Sequence, residues 1–146
     1  MKTTGFFVCI SFFLLSISIN AQNYAAGSIP AELKEDAHAV IRDARTEIEI
    51  IHAGKAIQRE YELMTVLNAK GKKHNGLFMH YDQFHKVLKM EGNLYDRYGK
   101  KVRKLKKSDI ADISGSGSSI ATDDRFKTAK LSQESYPFTV EYTGEH

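Results

Sequence analysis

The stretch Ala56-Ile57-Gln58-Arg59-Glu60-Tyr61-Glu62-Leu63-Met64-Thr65-Val66-Leu67 decides the fold. Its odd positions include Ile57, Tyr61, Leu63 and Leu67, and its even positions include Gln58, Glu60 and Glu62. Successive side chains of a strand point to opposite faces, so this period-two alternation predicts a long strand with one face in and one face out. Upstream, Thr46, Ile48 and Ile50 alternate with Glu47 and Glu49, a second half-buried strand. His52-Ala53-Gly54-Lys55 offers the turn between them. Ala39-Val40-Ile41 reads as a separate short apolar strand.

Working outward, the same pattern recurs. Asn68 to Gly76 is a polar, basic loop. Leu77, Met79 and Tyr81 share one strand face with Phe78 opposite, and Phe84, Leu88 and Met90 share a face of the next strand. Asp96-Arg97-Tyr98-Gly99 is a turn, because glycine accepts positive φ at its last position. Lys101 to Leu105 is a short strand. Ser108 to Ile113 suits a single helical turn capped by Ser108, and Ser114 to Ser119 is a flexible loop. Phe138, Val140 and Tyr142 alternate with Thr139 and Glu141 in the last strand. Near the start, Gln22 to Gly27 reads as a flexible leader. Ser28 and Pro30 then open one or two helical turns through Glu35. The fold class is mostly β: an antiparallel β-sandwich or strongly curved sheet with one or two short helical turns.

Residues 1–21 carry a different signal. One lysine, Lys2, precedes an apolar run from Gly5 to Ile19, and Ala21 is a small residue suited to cleavage. This is the pattern of a secretory signal peptide. The run is short for a membrane span, which takes roughly 20 residues. The expected product is an exported chain, periplasmic or extracellular, with a single β-sandwich module over residues 22–146 and no stable membrane span. The only cysteine, Cys9, lies inside the removed segment. The remainder therefore has no thiol nucleophile, disulfide or thiolate ligand, and it must hold together by packing. The net charge of +3 loses only Lys2, which argues against a bulk electrostatic partner such as nucleic acid.

Few residues cluster in ways that carry chemistry. The run Lys100 to Lys107 lacks interleaved stacking aromatics and reads as a solvated strand at a sheet edge, where lysines discourage strand addition. The histidines are His38, His52, His74, His80, His85 and His146, and none has metal-ligand spacing. His80 and His85 would fall on opposite faces of a single strand. Asp123-Asp124-Arg125 offers carboxylates to Ca²⁺ or a glycan but does not match a calcium loop, and an ion pair anchoring the loop is the plainer reading. Tyr61, Tyr81, Tyr95 and Tyr98 are candidates for a glycan platform. The candidate binding residues are thus Tyr95, Tyr98, Asp123, Asp124 and Arg125. No catalytic, metal or cofactor-binding set is identified, and the chain is expected to be no enzyme.

Three stretches together resemble a known family. Ala37 to Arg42 leads into Thr46 to Ile50. Leu94-Tyr95-Asp96-Arg97-Tyr98-Gly99-Lys100 runs on through Lys106-Lys107-Ser108-Asp109-Ile110. Asp123 to Lys127 is followed by Tyr136-Pro137-Phe138-Thr139-Val140-Glu141-Tyr142. This order resembles the N-terminal domain of unknown function that precedes transglutaminase-like domains in exported bacterial proteins. The resemblance implies a β-sandwich accessory module, with a Cys-His-Asp papain-like core in a following domain. Such a core needs a thiolate activated by histidine, and no residue of 22–146 plays the cysteine. It also implies a domain continuing past the strand at Phe138–Tyr142, so the chain is expected to be a fragment or truncated relative with open edges, prone to aggregate. The implied function is non-catalytic: positioning or binding a peptide, a glycan or a neighbouring domain. The implied partner is a transglutaminase-like domain or another envelope protein. The alternative is a free-standing cell-envelope or glycan-binding protein.

Overall fold

A computed structural model describes residues 24–115 and 124–146. The signal-like segment with Cys9, the loop residues Ser116 to Ser119 and the candidate Asp123 lie outside the described residues. The strands are β1 (Ala39–His52), β2 (Lys55–Val66), β3 (Leu77–Tyr81), β4 (Lys89–Tyr95), β5 (Lys101–Lys104), β6 (Ile110–Ser114), β7 (Arg125–Ala129) and β8 (Phe138–Glu145). They form a five-stranded sheet, β1-β2-β8-β4-β5, and a three-stranded sheet, β3-β7-β6. Every strand pairing is antiparallel, and the helical segments are all short 3₁₀ turns. The expectation of a mostly β, antiparallel fold holds. Among the described residues no helix is long and apolar enough to cross a membrane.

The core lies between the sheets. Met64 and Val66 of β2, Leu94 of β4 and Phe138, Val140 and Tyr142 of β8 meet Leu77 and Met79 of β3, with Ala129, Leu131 and Leu105 completing the cluster. A buried polar network ties the layers together. The Tyr142 hydroxyl donates to Asn75 Oδ1 at 3.1 Å and accepts from the Leu131 amide at 2.7 Å, while Asn75 Nδ2 donates to the Leu131 carbonyl at 2.5 Å. Burial pushes the Tyr142 hydroxyl up to about 12.

Several local expectations are corrected. The two predicted strands at Ala39–Ile41 and Thr46–Ile50 are one strand, β1, in which the register with β2 shifts between Ile41 and Asp43. The extra residue, Arg42, is a bulge that moves the inward-facing positions from odd to even numbers. Its guanidinium reaches the Ala25 carbonyl at 3.2 Å and Ser28 Oγ at 2.8 Å. The segment from Tyr24 to Gly27 is no loose leader: Ala26 and Ile29 are buried, and the Tyr24 ring stacks on Tyr95 at 3.9 Å. The helix expected after Pro30 shortens to a 3₁₀ turn, Ala31–Leu33, and Ser28 hydrogen-bonds the Ala25 carbonyl rather than capping it. The loop after β2 contains a 3₁₀ segment, Ala69–His74, capped by the Asn68 side chain. Phe84 and Leu88 sit exposed ahead of β4 rather than in a strand. The helical turn predicted for Ser108–Ile113 ends at Asp109, and Ile110–Ser114 is a strand because it pairs along β7. Lys101–Lys104 is an edge strand, as its lysines suggested.

Candidate binding cleft

The inward face of β2 is where sequence and structure differ most usefully. The alternation points its odd, apolar positions at the core, yet both faces are buried between Leu63 and Val66. The even positions Met64 and Val66 meet the three-stranded sheet. The odd position Thr65 hydrogen-bonds Thr139, which in turn donates to the Tyr24 carbonyl on the outer face. Glu62 and Glu60 continue the even row, so two carboxylates line the inner face at the rim of the core.

They line a cleft. The three-stranded sheet is too narrow to cover the five-stranded one, and β3, its edge, leaves the β1–β2 hairpin overhanging. Between them lies a cavity of about 360 Å³ lined by Ala44, Arg45 and Thr46 of β1, Glu60, Tyr61 and Glu62 of β2, Gly76, Leu77 and Phe78 at β3, and Tyr142. Farther along the hairpin Ile48 is 64% exposed and Ile50 is 78% exposed. Both belong to the same inward-facing row of β1, opposite Gln58 and Ala56. The cleft is thus bounded by two strands, β1 and β3, that each pair on one side only.

Glu62 is the chemically unusual member. Burial raises its pKa, and it makes no hydrogen bond or ion pair among the described residues. Glu60 accepts from Gln58 Nε2 at 2.7 Å and lies 3.8 Å from His146 Nε2. The nearby guanidinium of Arg45 is turned away, to Asp43 at 3.2 Å and to the Tyr61 ring at 4.5 Å.

The outer face holds the opposite case. Glu141 accepts from Tyr24 at 3.0 Å, Tyr61 at 3.2 Å, Asn93 at 2.8 Å and Tyr95 at 2.8 Å. Burial alone would raise its pKa, but these four donors hold it below the usual carboxylate range. Burial, together with Tyr24 and Glu141, pushes the Tyr95 hydroxyl far above its ordinary value. This structural network satisfies the Glu141 carboxylate and seats the Tyr24 segment on the sheet.

The candidate residues from the sequence do not converge on one site. Tyr95 is buried in the Glu141 network, so it is not presented to solvent. Tyr98 is 79% exposed on the β4–β5 turn, where Gly99 takes φ +82° and Asp96 Oδ1 accepts from the Tyr98 and Lys100 amides. Arg125 opens β7 of the other sheet, and Asp124 immediately precedes it. Arg125 pairs with Asp112 at 2.8 Å and donates to the Tyr81 hydroxyl at 2.8 Å. Asp124 Oδ1 meets His80 Nε2 at 3.0 Å, consistent with the ion-pair reading of this stretch. Sequence spacing missed that donor atoms of His80, Asp82 and Asp124 come within 4.8 Å of one another. These groups could ligate a cation, but each is already engaged: Asp82 accepts from the Phe84 and His85 amides and from the His85 ring, which holds it down at about 2. Glu62 was legible only as a polar strand position, because its burial depends on where β3 ends.

No curated protein and no solved structure matches the chain. The profile of a family described as a domain of unknown function with a solved structure (DUF3857) matches residues 52–146, which span β2 to β8 and the lower wall of the cleft, and the chain belongs to that family.

Proposed function

We propose that the chain is a non-catalytic, exported β-module that binds an extended polypeptide in the cleft between the β1–β2 hairpin and β3. The polypeptide belongs to a neighbouring domain or an envelope protein, and a transglutaminase-like domain is the first candidate because of the family resemblance. Export rests on the signal-like pattern of residues 1–21. The observation that carries the binding reading is the cleft itself: two one-sided strands with a row of uncovered side chains between them. Strand addition supplies main-chain hydrogen bonds from such an edge, and alternate side chains supply specificity. The alternative, a glycan platform, is less well supported, since Tyr61 and Tyr95 are committed to Glu141. Tyr98 stands apart from them on its turn.

The test uses a displayed library of random linear peptides selected on residues 22–146, followed by amide chemical-shift mapping of the selected peptides. Shifts at Ala44–Ile48, Glu60–Glu62 and Gly76–Phe78 support the reading. Binders that map to the Tyr98 turn, or a library with no binder, overturn it. Turnover of a peptide, ester or glycoside by the pure chain contradicts the non-catalytic assignment.

A further inference from the structure

Resting on that reading, we infer that the cleft selects a basic segment: an extended strand with a lysine or arginine facing Glu62 and apolar residues facing Ile48 and Ile50. An added strand alongside β3 would enlarge the three-stranded sheet and run beneath β2 and β1. Packed sheets lie about 10 Å apart, and alternate side chains of the new strand would rise about 7 Å apart towards the five-stranded sheet. Glu62 and Glu60 are alternate residues of one strand and so have that same spacing. The order along the inner row is Glu62 opposite Ala44, Glu60 opposite Thr46, Gln58 opposite Ile48 and Ala56 opposite Ile50. Ala44 and Thr46 are small, which leaves room for a long side chain to reach the carboxylates.

The chemistry is complementary. An occupant that excluded water without bringing a cation would bury Glu62 further with no partner, which is costly. A lysine or arginine instead forms a charge-assisted hydrogen bond with a group that has no other partner among the described residues. Glu60 retains Gln58 and is the secondary anchor. Acidic segments are rejected by like charge. The exposed isoleucines reward apolar residues at the far end of the same row. The recognised pattern therefore reads basic, any, basic or polar, any, apolar, any, apolar.

Three synthetic peptides of about twelve residues test this. They share one alternating Val/Thr frame and differ only in carrying Lys, Gln or Glu at the two positions aligned with Glu62 and Glu60. Amide chemical shifts of residues 22–146 report both site and affinity. The expected result is cleft shifts with the Lys peptide binding about tenfold or more tighter than the Gln peptide, and the Glu peptide weakest. Glu62→Gln brings the Lys and Gln peptides to within about twofold of each other while its spectrum stays dispersed. Equal binding of all three in the cleft overturns the basic preference and leaves the cleft reading standing. No cleft shift with any of them overturns both.

Discussion

Glu62 and Glu141 sit on neighbouring strands of one sheet, one register step apart, and they should respond to substitution with opposite signs. Glu62 faces the cleft on the inner side, with its pKa raised by burial and no hydrogen bond or ion pair among the described residues. Glu141 faces outward and is held low by four donors. Leaving a buried polar group unsatisfied costs about 1–3 kcal/mol. Glu62 is only partly buried, so about half of that, roughly 1 kcal/mol, should be regained by Glu62→Leu, and the part of it that belongs to the desolvated charge by Glu62→Gln. For a domain of this size 1 kcal/mol corresponds to about 3–6 °C in Tm. Glu141→Gln should instead cost about 1–3 kcal/mol by disrupting the four-donor network.

The pH dependence separates the two further. A raised carboxyl pKa means that the folded state holds the proton more tightly than the unfolded chain. Glu62 therefore favours folding below its unfolded pKa, and that contribution is lost as pH rises through the folded value. The titratable and charged groups around it are Glu60 and Tyr61 on its own strand, Arg45 on β1, whose guanidinium pairs with Asp43, Tyr142 on β8 and His146 near Glu60, whereas Ala44, Thr46, Gly76, Leu77 and Phe78 bring none. The advantage of Glu62→Gln should therefore be largest at pH 8 and shrink towards pH 4. Glu141 runs the other way: its stabilisation is present above the unfolded pKa and fades as pH falls through the lowered folded value. Urea denaturation of wild type and both variants at pH 4, 6 and 8 reads all of this. A Glu62→Gln variant less stable than wild type at pH 8, or a difference independent of pH, refutes the reasoning.

Two further predictions follow from the packing. Tyr142→Phe strands the Leu131 amide and Asn75 Oδ1 inside the core, and should cost about 2–4 kcal/mol by urea denaturation; a cost below about 0.5 kcal/mol would show that the network does not tie the sheets. Gly71→Ala places a Cβ 2.0 Å from the His38 carbonyl oxygen, a backbone clash that the loop can relieve only by moving, and should lower stability by about 2 kcal/mol or more. An unchanged melting curve would mean that the Ala69–His74 segment does not pack against the start of β1.

Much of the fold was readable because period-two alternation marks a strand, and it located the β1–β2 hairpin, β3 and β8 even where it misassigned the inward face of β2. The exceptions have physical causes. The bulge at Arg42 reverses the alternation within β1, so one strand reads as two. Ile110 and Ile113, three residues apart, mimic a helical face, but pairing with β7 makes the segment a strand. Arg125-Phe126-Lys127-Thr128 has little apolar alternation of its own. It is a strand because β3 and β6 flank it, information that is not local. Tyr24 reads as leader because its partner, Tyr95, is distant in sequence. The cleft was the least legible feature. Glu60 and Glu62 look like the solvent side of a strand, and only the narrowness of the second sheet turns them inward to a cavity.

The most direct test of the central claim is amide hydrogen exchange of residues 22–146 with and without the Lys-bearing peptide. The account predicts slowed exchange centred on Gly76–Phe78 at β3, the strand that gains a hydrogen-bonded neighbour, with weaker protection at Ala44–Ile48 of β1, which the peptide covers. Protection centred on the Arg97–Tyr98 turn or the Glu141 face, with β1 and β3 unchanged, would contradict it.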